Sequence, residues 1–197
     1  MKEGKSMSRR AQLAVLLLLA TVYAGVNFVA LASEPPKADA AAQIARGRHL
    51  VELGGCGDCH TPKKMSETGP IQDSTLLLSG QQASEKIPDP PAGLSMDGWV
   101  AACNGNFTAW VGPWGVSFAA NITSDPKTGI GNWTTEQFIS AMRTGKHRGF
   151  GRPILPPMPW QNFVALTDDD LADMLAFLKS TKPVVNQVPA PIPPAQK

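Results

Sequence analysis

The sequence is poor in the side chains that most chemistry relies on. Its 197 residues hold three cysteines, three histidines and one tyrosine, and 17% of them are charged. Neither sign of charge dominates, the formal net charge being +2, so there is no basic stripe of the kind that grips nucleic acid. Outside residues 56–60, Cys103, His49 and His147 stand singly, so a structural zinc site lacks its second Cys/His pair. The odd cysteine count leaves at least one thiol outside any disulfide set. No internal repeat runs through the chain, which excludes a solenoid.

The two ends are compositionally distinct. Lys2, Lys5, Arg9 and Arg10 precede a stretch from Ala11 to Ala32 that is apolar except for Gln12, Thr21 and Asn27. Ala30-Leu31-Ala32 has the small-x-small form of a signal-peptidase site. Residues 1–32 therefore read as an export signal with Ser33 as the mature start. An uncleaved anchor is the alternative, because the apolar run 11–32 is long enough to cross a bilayer. Either reading places the remainder in a periplasm, soluble or held at the inner membrane. Four basic residues and one acid lie in 1–32, so the rest carries a net −1. Residues 33–39 form a short linker, 40–182 the folded domain, and 183–197, with five prolines, an expected extended and mobile tail.

Within 40–182 three helices are predicted. The first starts at Ala40, gathers Ile44, Leu50, Val51 and Leu53 on one side, and stops at Gly54-Gly55. The second starts at Thr134, whose partner Gln137 three residues on makes a capping box, and ends at Gly145. The third follows Thr167, with Asp168, Asp169 and Asp170 placed to complement the positive helix end, an apolar stripe Leu171, Met174, Leu175 and Leu178, and a stop at Pro183. Residues 62–133 are rich in turn formers and show little periodicity. A stretch of that length must pack on something, with Trp99, Trp110, Trp114 and Phe118 as anchors.

The chemistry is concentrated in Cys56-Gly57-Asp58-Cys59-His60. Two thiols three apart on a helical turn can capture the two vinyl groups of a haem, and the adjacent histidine can ligate the iron; C-x-x-C-H is the attachment signature of haem c. A thioredoxin-like redox pair would follow a strand, whereas here a helix and two glycines precede the motif. The sixth iron position then decides the function. Open iron binds gases or peroxide, while a methionine ligand leaves electron transfer at a raised potential. Met65 is too close in sequence, and Met142 and Met174 fall on apolar helix faces. Met96 lies in the irregular region. Met158 sits in Ile154-Leu155-Pro156-Pro157-Met158-Pro159-Trp160, a proline-stiffened loop that presents a weak thioether ligand at low entropic cost. His147 is the second choice of ligand.

Several segments resemble the monohaem class I c-type cytochromes, and most of all the cytochrome domains in multihaem subunits of bacterial membrane-bound alcohol and sugar dehydrogenases. They are Gly47-Arg48-His49-Leu50-Val51, Asn121 to Pro126, Gly129 to Trp133, the helix Glu136–Arg143, Arg152 to Trp160, and Leu166 to Leu178. The resemblance implies a mainly α class I cytochrome fold, with N- and C-terminal helices crossing over one covalently attached haem. It supports Met158 as distal ligand and brings Trp133 near the haem; Arg152, next to the ligand loop, is the propionate candidate. It implies an electron carrier, not an enzyme, working between a dehydrogenase or membrane redox complex and an oxidase or another cytochrome. A fixed haem subunit of a dehydrogenase complex is the alternative, and an open-iron haem enzyme or gas sensor a third reading. The departure is the 98-residue separation of His60 and Met158. The extra length, 73–120, includes Cys103 and three tryptophans; it could shield the haem edge, dock a partner or, as the favoured role, enlarge the core.

Overall fold

A computed structural model describes residues 39–87, 89 and 101–194. The expectations for residues 1–38, for Met96 and for Trp99 lie outside these residues.

Among the described residues four α-helices form where local chemistry starts and stops them. Helix α1 (Ala40–Leu53) is capped by the Asp39 carboxylate, which accepts from the Ala41 amide. Helix α2 (Cys56–His60) follows after the two glycines. Helix α3 (Thr135–Thr144) begins with the expected capping box: Thr134 Oγ1 accepts from the Gln137 amide at 3.2 Å, and Gln137 Oε1 accepts from the Thr134 amide at 3.1 Å. It ends at Gly145 with φ +64. Helix α4 (Asp168–Ser180) has a second box in which Asp170 answers Thr167.

Helices α1 and α4 cross at Gly47. A Cβ there would lie 1.8 Å from the Asp173 carbonyl oxygen, so any side chain would force the helices apart. Arg46 flanks the crossing and pairs with Asp170 and, at 3.3 Å, with Asp173. The apolar cluster under the crossing joins Val51 of α1, Phe138, Ala141 and Met142 of α3, and Leu171, Met174, Leu175 and Leu178 of α4, with Trp133 and Phe163 between them. Leu171 and Leu175 are fully buried, each worth about 1.5–3 kcal/mol over exposure. Met142 and Met174 are core residues, as their helical spacing predicts. Leu53 is not on the buried side: it is 75% exposed, because the crossing helix covers α1 only around Gly47 and Val51.

Among its described residues the irregular stretch contains two small antiparallel sheets that the sequence pattern does not reveal. One is the hairpin β1 (Lys63–Ser66) with β2 (Gly69–Gln72). The other has the order β3 (Ala102–Cys103), β4 (Ala109–Gly112), β5 (Gly115–Phe118). Strands of two to four residues are too short to show an alternating pattern. The favoured role for 73–120 needs correction. Among its described residues Leu78 alone joins the apolar cluster, and the other buried ones are mostly polar: Ser79, Gln81, Thr108 and Ser117. This region builds a hydrogen-bonded annex more than a larger core.

The proline-rich tail also departs from expectation. It is extended but not free as far as residue 192. Asn186 is buried, and its amide donates to the Ser79 and Gln81 carbonyls at 2.8 and 2.9 Å and accepts from the Ala83 amide at 3.0 Å. Asn121 donates to the Val184 and Asn186 carbonyls. Ile192 exchanges two backbone hydrogen bonds with Val116, lengthening the β3–β4–β5 sheet by one bridge.

Candidate functional site

Helix α2 is a single turn launched by Gly55, whose φ of +63 favours glycine. The turn carries Cys56, Cys59 and His60 together. Both cysteines are free thiols and half-buried. Burial pushes the Cys56 thiol up to about 11 and raises that of Cys59 as well, so both are neutral S–H groups at ordinary pH.

Two neighbouring segments hold His60. Its carbonyl accepts from the Gly80 amide at 2.8 Å. Its Nδ1 lies 2.7 Å from the Ala120 carbonyl oxygen. A carbonyl can only accept, so Nδ1 carries the proton and Nε2 keeps a free lone pair. Burial lowers the imidazole pKa, outweighing the opposite effect of this hydrogen bond, and so favours the neutral, ligating form. Thr61, fully buried, accepts from the Leu78 amide at 3.0 Å and keeps the exit of the turn in place.

Met158 is half-buried and packs against the same apolar cluster as Cys56. Its loop is closed by its own backbone, Met158 N–H to Leu155 O at 3.3 Å and Trp160 N–H to Met158 O at 2.9 Å. Trp133 is buried within that cluster. The second-choice ligand, His147, sets its ring edge-on to Trp133 with centroids 4.9 Å apart. Arg148 lies over the same indole, 5.6 Å from its centroid. Arg152 is exposed, and its guanidinium donates to the Pro153 carbonyl at 3.1 Å. Met65 is 78% exposed.

The donor set fits a covalently attached haem. Two reduced thiols share one helical turn with an imidazole whose Nε2 is free, beside an apolar cluster that a half-buried thioether also touches. Among the described residues no group of three or more His, Cys, Asp or Glu side chains is placed to hold a metal ion by itself.

No family model matches the chain. Individual proteins do. It is 44% identical over 151 residues to the cytochrome c subunit of a quinone alcohol dehydrogenase from Gluconobacter oxydans, covering 76% of this chain and 24% of that protein. It is 30% identical over 197 residues, all of this chain and 32% of the relative, to the fructose dehydrogenase cytochrome subunit of Gluconobacter japonicus. It is 28% identical over 141 residues to the gluconate 2-dehydrogenase cytochrome c subunit of Pantoea cypripedii, covering 70% of this chain and 26% of that one. The chain is homologous to cytochrome c subunits of bacterial dehydrogenases. It spans less than a third of the length of these three relatives.

Some residues around the cytochrome motif escape a reading of the sequence. The carbonyl of Ala120 has no side-chain signature at all. Lys63 could have been found. Its ammonium donates to the Asp58 and Thr61 carbonyls at 2.6 and 2.7 Å and so caps the end of α2, where a cation is favoured. Its position just after the motif was the available signal. The Asn-x-Thr triplet at Asn121 is turn chemistry: Asn121 Oδ1 accepts from the Thr123 amide and hydroxyl, and the residue is buried.

Proposed function

We propose that this chain is a periplasmic c-type cytochrome that carries electrons through one haem between a dehydrogenase or membrane redox complex and a downstream acceptor. The observation that carries this reading is the hydrogen bond from His60 Nδ1 to the Ala120 carbonyl, which leaves Nε2 free beside Cys56 and Cys59.

In this reading Cys56 and Cys59 would hold the haem through two thioethers, and His60 Nε2 and the Met158 thioether would be the protein's ligands to its iron. When bound, the haem supplies an iron that cycles between ferrous and ferric. The protein holds the ligands still so that little rearranges on electron transfer. Ala120 fixes the imidazole plane and tautomer, and its carbonyl makes the imidazole a better donor. The proline loop limits the freedom of Met158. Trp133 lies buried in the apolar cluster against which Cys56 and Met158 pack, and would help to exclude water there. Arg152, exposed beside the loop, is available to a propionate. The fold would then be the class I cytochrome arrangement, in which the α1–α4 pair that meets at Gly47 would pack over the haem, with the Cys103-containing annex added.

The intact mass and visible spectrum of the exported protein test this. One haem mass in excess of the chain, a reduced spectrum of the c type, and the long-wavelength ferric band of methionine ligation are expected. Rapid carbon monoxide binding by the reduced form would point instead to open iron and overturn the carrier reading. The mass also reports whether residues 1–32 are removed.

A second reading is a haem-bearing subunit fixed in a dehydrogenase complex. It is favoured because the alcohol and fructose dehydrogenase relatives are named as subunits. Purification from native membranes separates the two: a dehydrogenase that co-purifies in fixed ratio supports the subunit, and a free monomer the carrier.

A further inference from the structure

The annex reaches the methionine loop through one side chain. Ser117, in the middle of β5, is buried. Its hydroxyl lies 3.1 Å from Trp114 Nε1 and 2.6 Å from the Pro156 carbonyl oxygen. The indole N–H can only donate and the carbonyl can only accept. The directions are therefore forced: Trp114 donates to Ser117, and Ser117 donates to Pro156. Pro156, Pro157 and Pro159 carry no backbone N–H, so the loop has few donors with which to anchor itself. Ser117 supplies an anchor from outside, two residues before Met158.

Strand β5 is itself braced on both edges. Val116 pairs with Val111 of β4 on one side and exchanges two hydrogen bonds with Ile192 on the other. Three residues after Ser117, the Ala120 carbonyl accepts the hydrogen bond from His60 Nδ1–H. An extended backbone rises about 3.3 Å per residue, so roughly 10 Å of one strap separates the two anchoring points. The same segment holds the histidine by a carbonyl and the methionine loop by a hydroxyl.

We infer that Ser117 is the positioning residue for Met158: its hydroxyl, oriented by Trp114, holds the loop where the thioether competes successfully with external ligands. This rests on the reading of Met158 as the distal ligand. The annex between the two ligands then has a task, which is to set the strength of the distal side.

The test uses the haem-loaded protein and measures imidazole binding to the ferric form through loss of the methionine-ligation band. Ser117→Ala should bind imidazole about five- to tenfold more tightly, the equilibrium weight of one buried hydrogen bond. Ser117→Thr keeps the hydroxyl and should stay within about twofold of wild type. Trp114→Phe keeps the aromatic bulk, removes the orienting N–H, and should move in the same direction by less; it replaces the alanine variant if that fails to fold. An affinity within twofold of wild type in both Ser117→Ala and Trp114→Phe overturns the inference, as does a threonine variant shifted as far as the alanine one. Met158→Ala separates the two levels. If its ferric band persists, the ligand assignment fails and this inference with it. If the band is lost while Ser117→Ala binds imidazole as wild type does, this inference alone fails.

Discussion

The two sides of the proposed haem site are built in opposite ways. Cys56, Cys59 and His60 lie within five consecutive residues on one helical turn, so their relative geometry is local. Met158 lies 98 residues beyond His60 and reaches its place through a stiff loop, a serine hydroxyl from β5 and a strand braced by the chain terminus. The backbone of a local arrangement survives considerable damage elsewhere, because one helical turn defines it; only the tautomer of the His60 ring depends on the distant Ala120 carbonyl. A tertiary arrangement depends on every contact along the route. The proximal side should therefore respond in an all-or-none way, and the distal side by degrees.

The largest break is on the proximal side. Replacing both Cys56 and Cys59 with alanine should abolish covalent haem, and the mass of the purified protein should equal that of the bare chain. Next comes Met158→Ala. It should keep the haem in full, lose the ferric methionine band, lower the reduction potential and open the reduced iron to carbon monoxide. Loss of the haem itself in this variant would show that the two sides are not separable.

Asn186→Ala tests whether the tail supports both sides. It leaves the Ser79 and Gln81 carbonyls and the Ala83 amide without their partner, at a cost of about 1–3 kcal/mol in urea unfolding. Because those segments flank His60 and the tail continues to Val116, weaker methionine ligation should accompany the loss of stability. An unchanged unfolding midpoint would show that the tail is only resting on the surface.

The smallest effect concerns acid. The Arg46 guanidinium, helped by Thr167, holds the Asp170 carboxyl below its ordinary value of 3.8. A carboxylate depressed in the folded state contributes stability that is complete above its unfolded pKa and is lost as pH falls through the folded one. Wild-type stability should therefore decline below about pH 4, and Asp170→Asn should flatten that limb. Asp170→Asn should keep the wild-type haem spectrum at neutral pH, since Asp170 pairs with Arg46 at the α1–α4 crossing and touches neither the Cys56–His60 turn nor the Met158 loop.

What could be read from the sequence was what adjacent residues decide among themselves. The capping box at Thr134 and Gln137, the stop at Gly145 and the start at Thr167 all involve partners within a few residues, and the helices run as those signals require. Leu53 was misplaced because helical spacing says which residues share a side, not how far the neighbouring helix extends over it. The sheets were hidden because their strands are too short for a pattern. The tail was misjudged because its prolines lack donors, while the anchor is the side chain of Asn186, a residue type common in loops of every kind.

The chain by itself determined the Cys56–His60 turn, where haem attachment is proposed, and the helices on either side of it, because those depend on spacing and on caps within one or two turns. It also offered Met158, through the stiffness of its loop. Only the tertiary structure decided which nitrogen of His60 is free, and which strand reaches the Met158 loop. Those answers rest on hydrogen bonds from His60 to Ala120 and from Ser117 to Pro156, spanning 60 and 39 residues. A backbone carbonyl leaves no mark in a sequence, and a serine hydroxyl acquires its direction only when the folded chain brings it a donor on one side and an acceptor on the other.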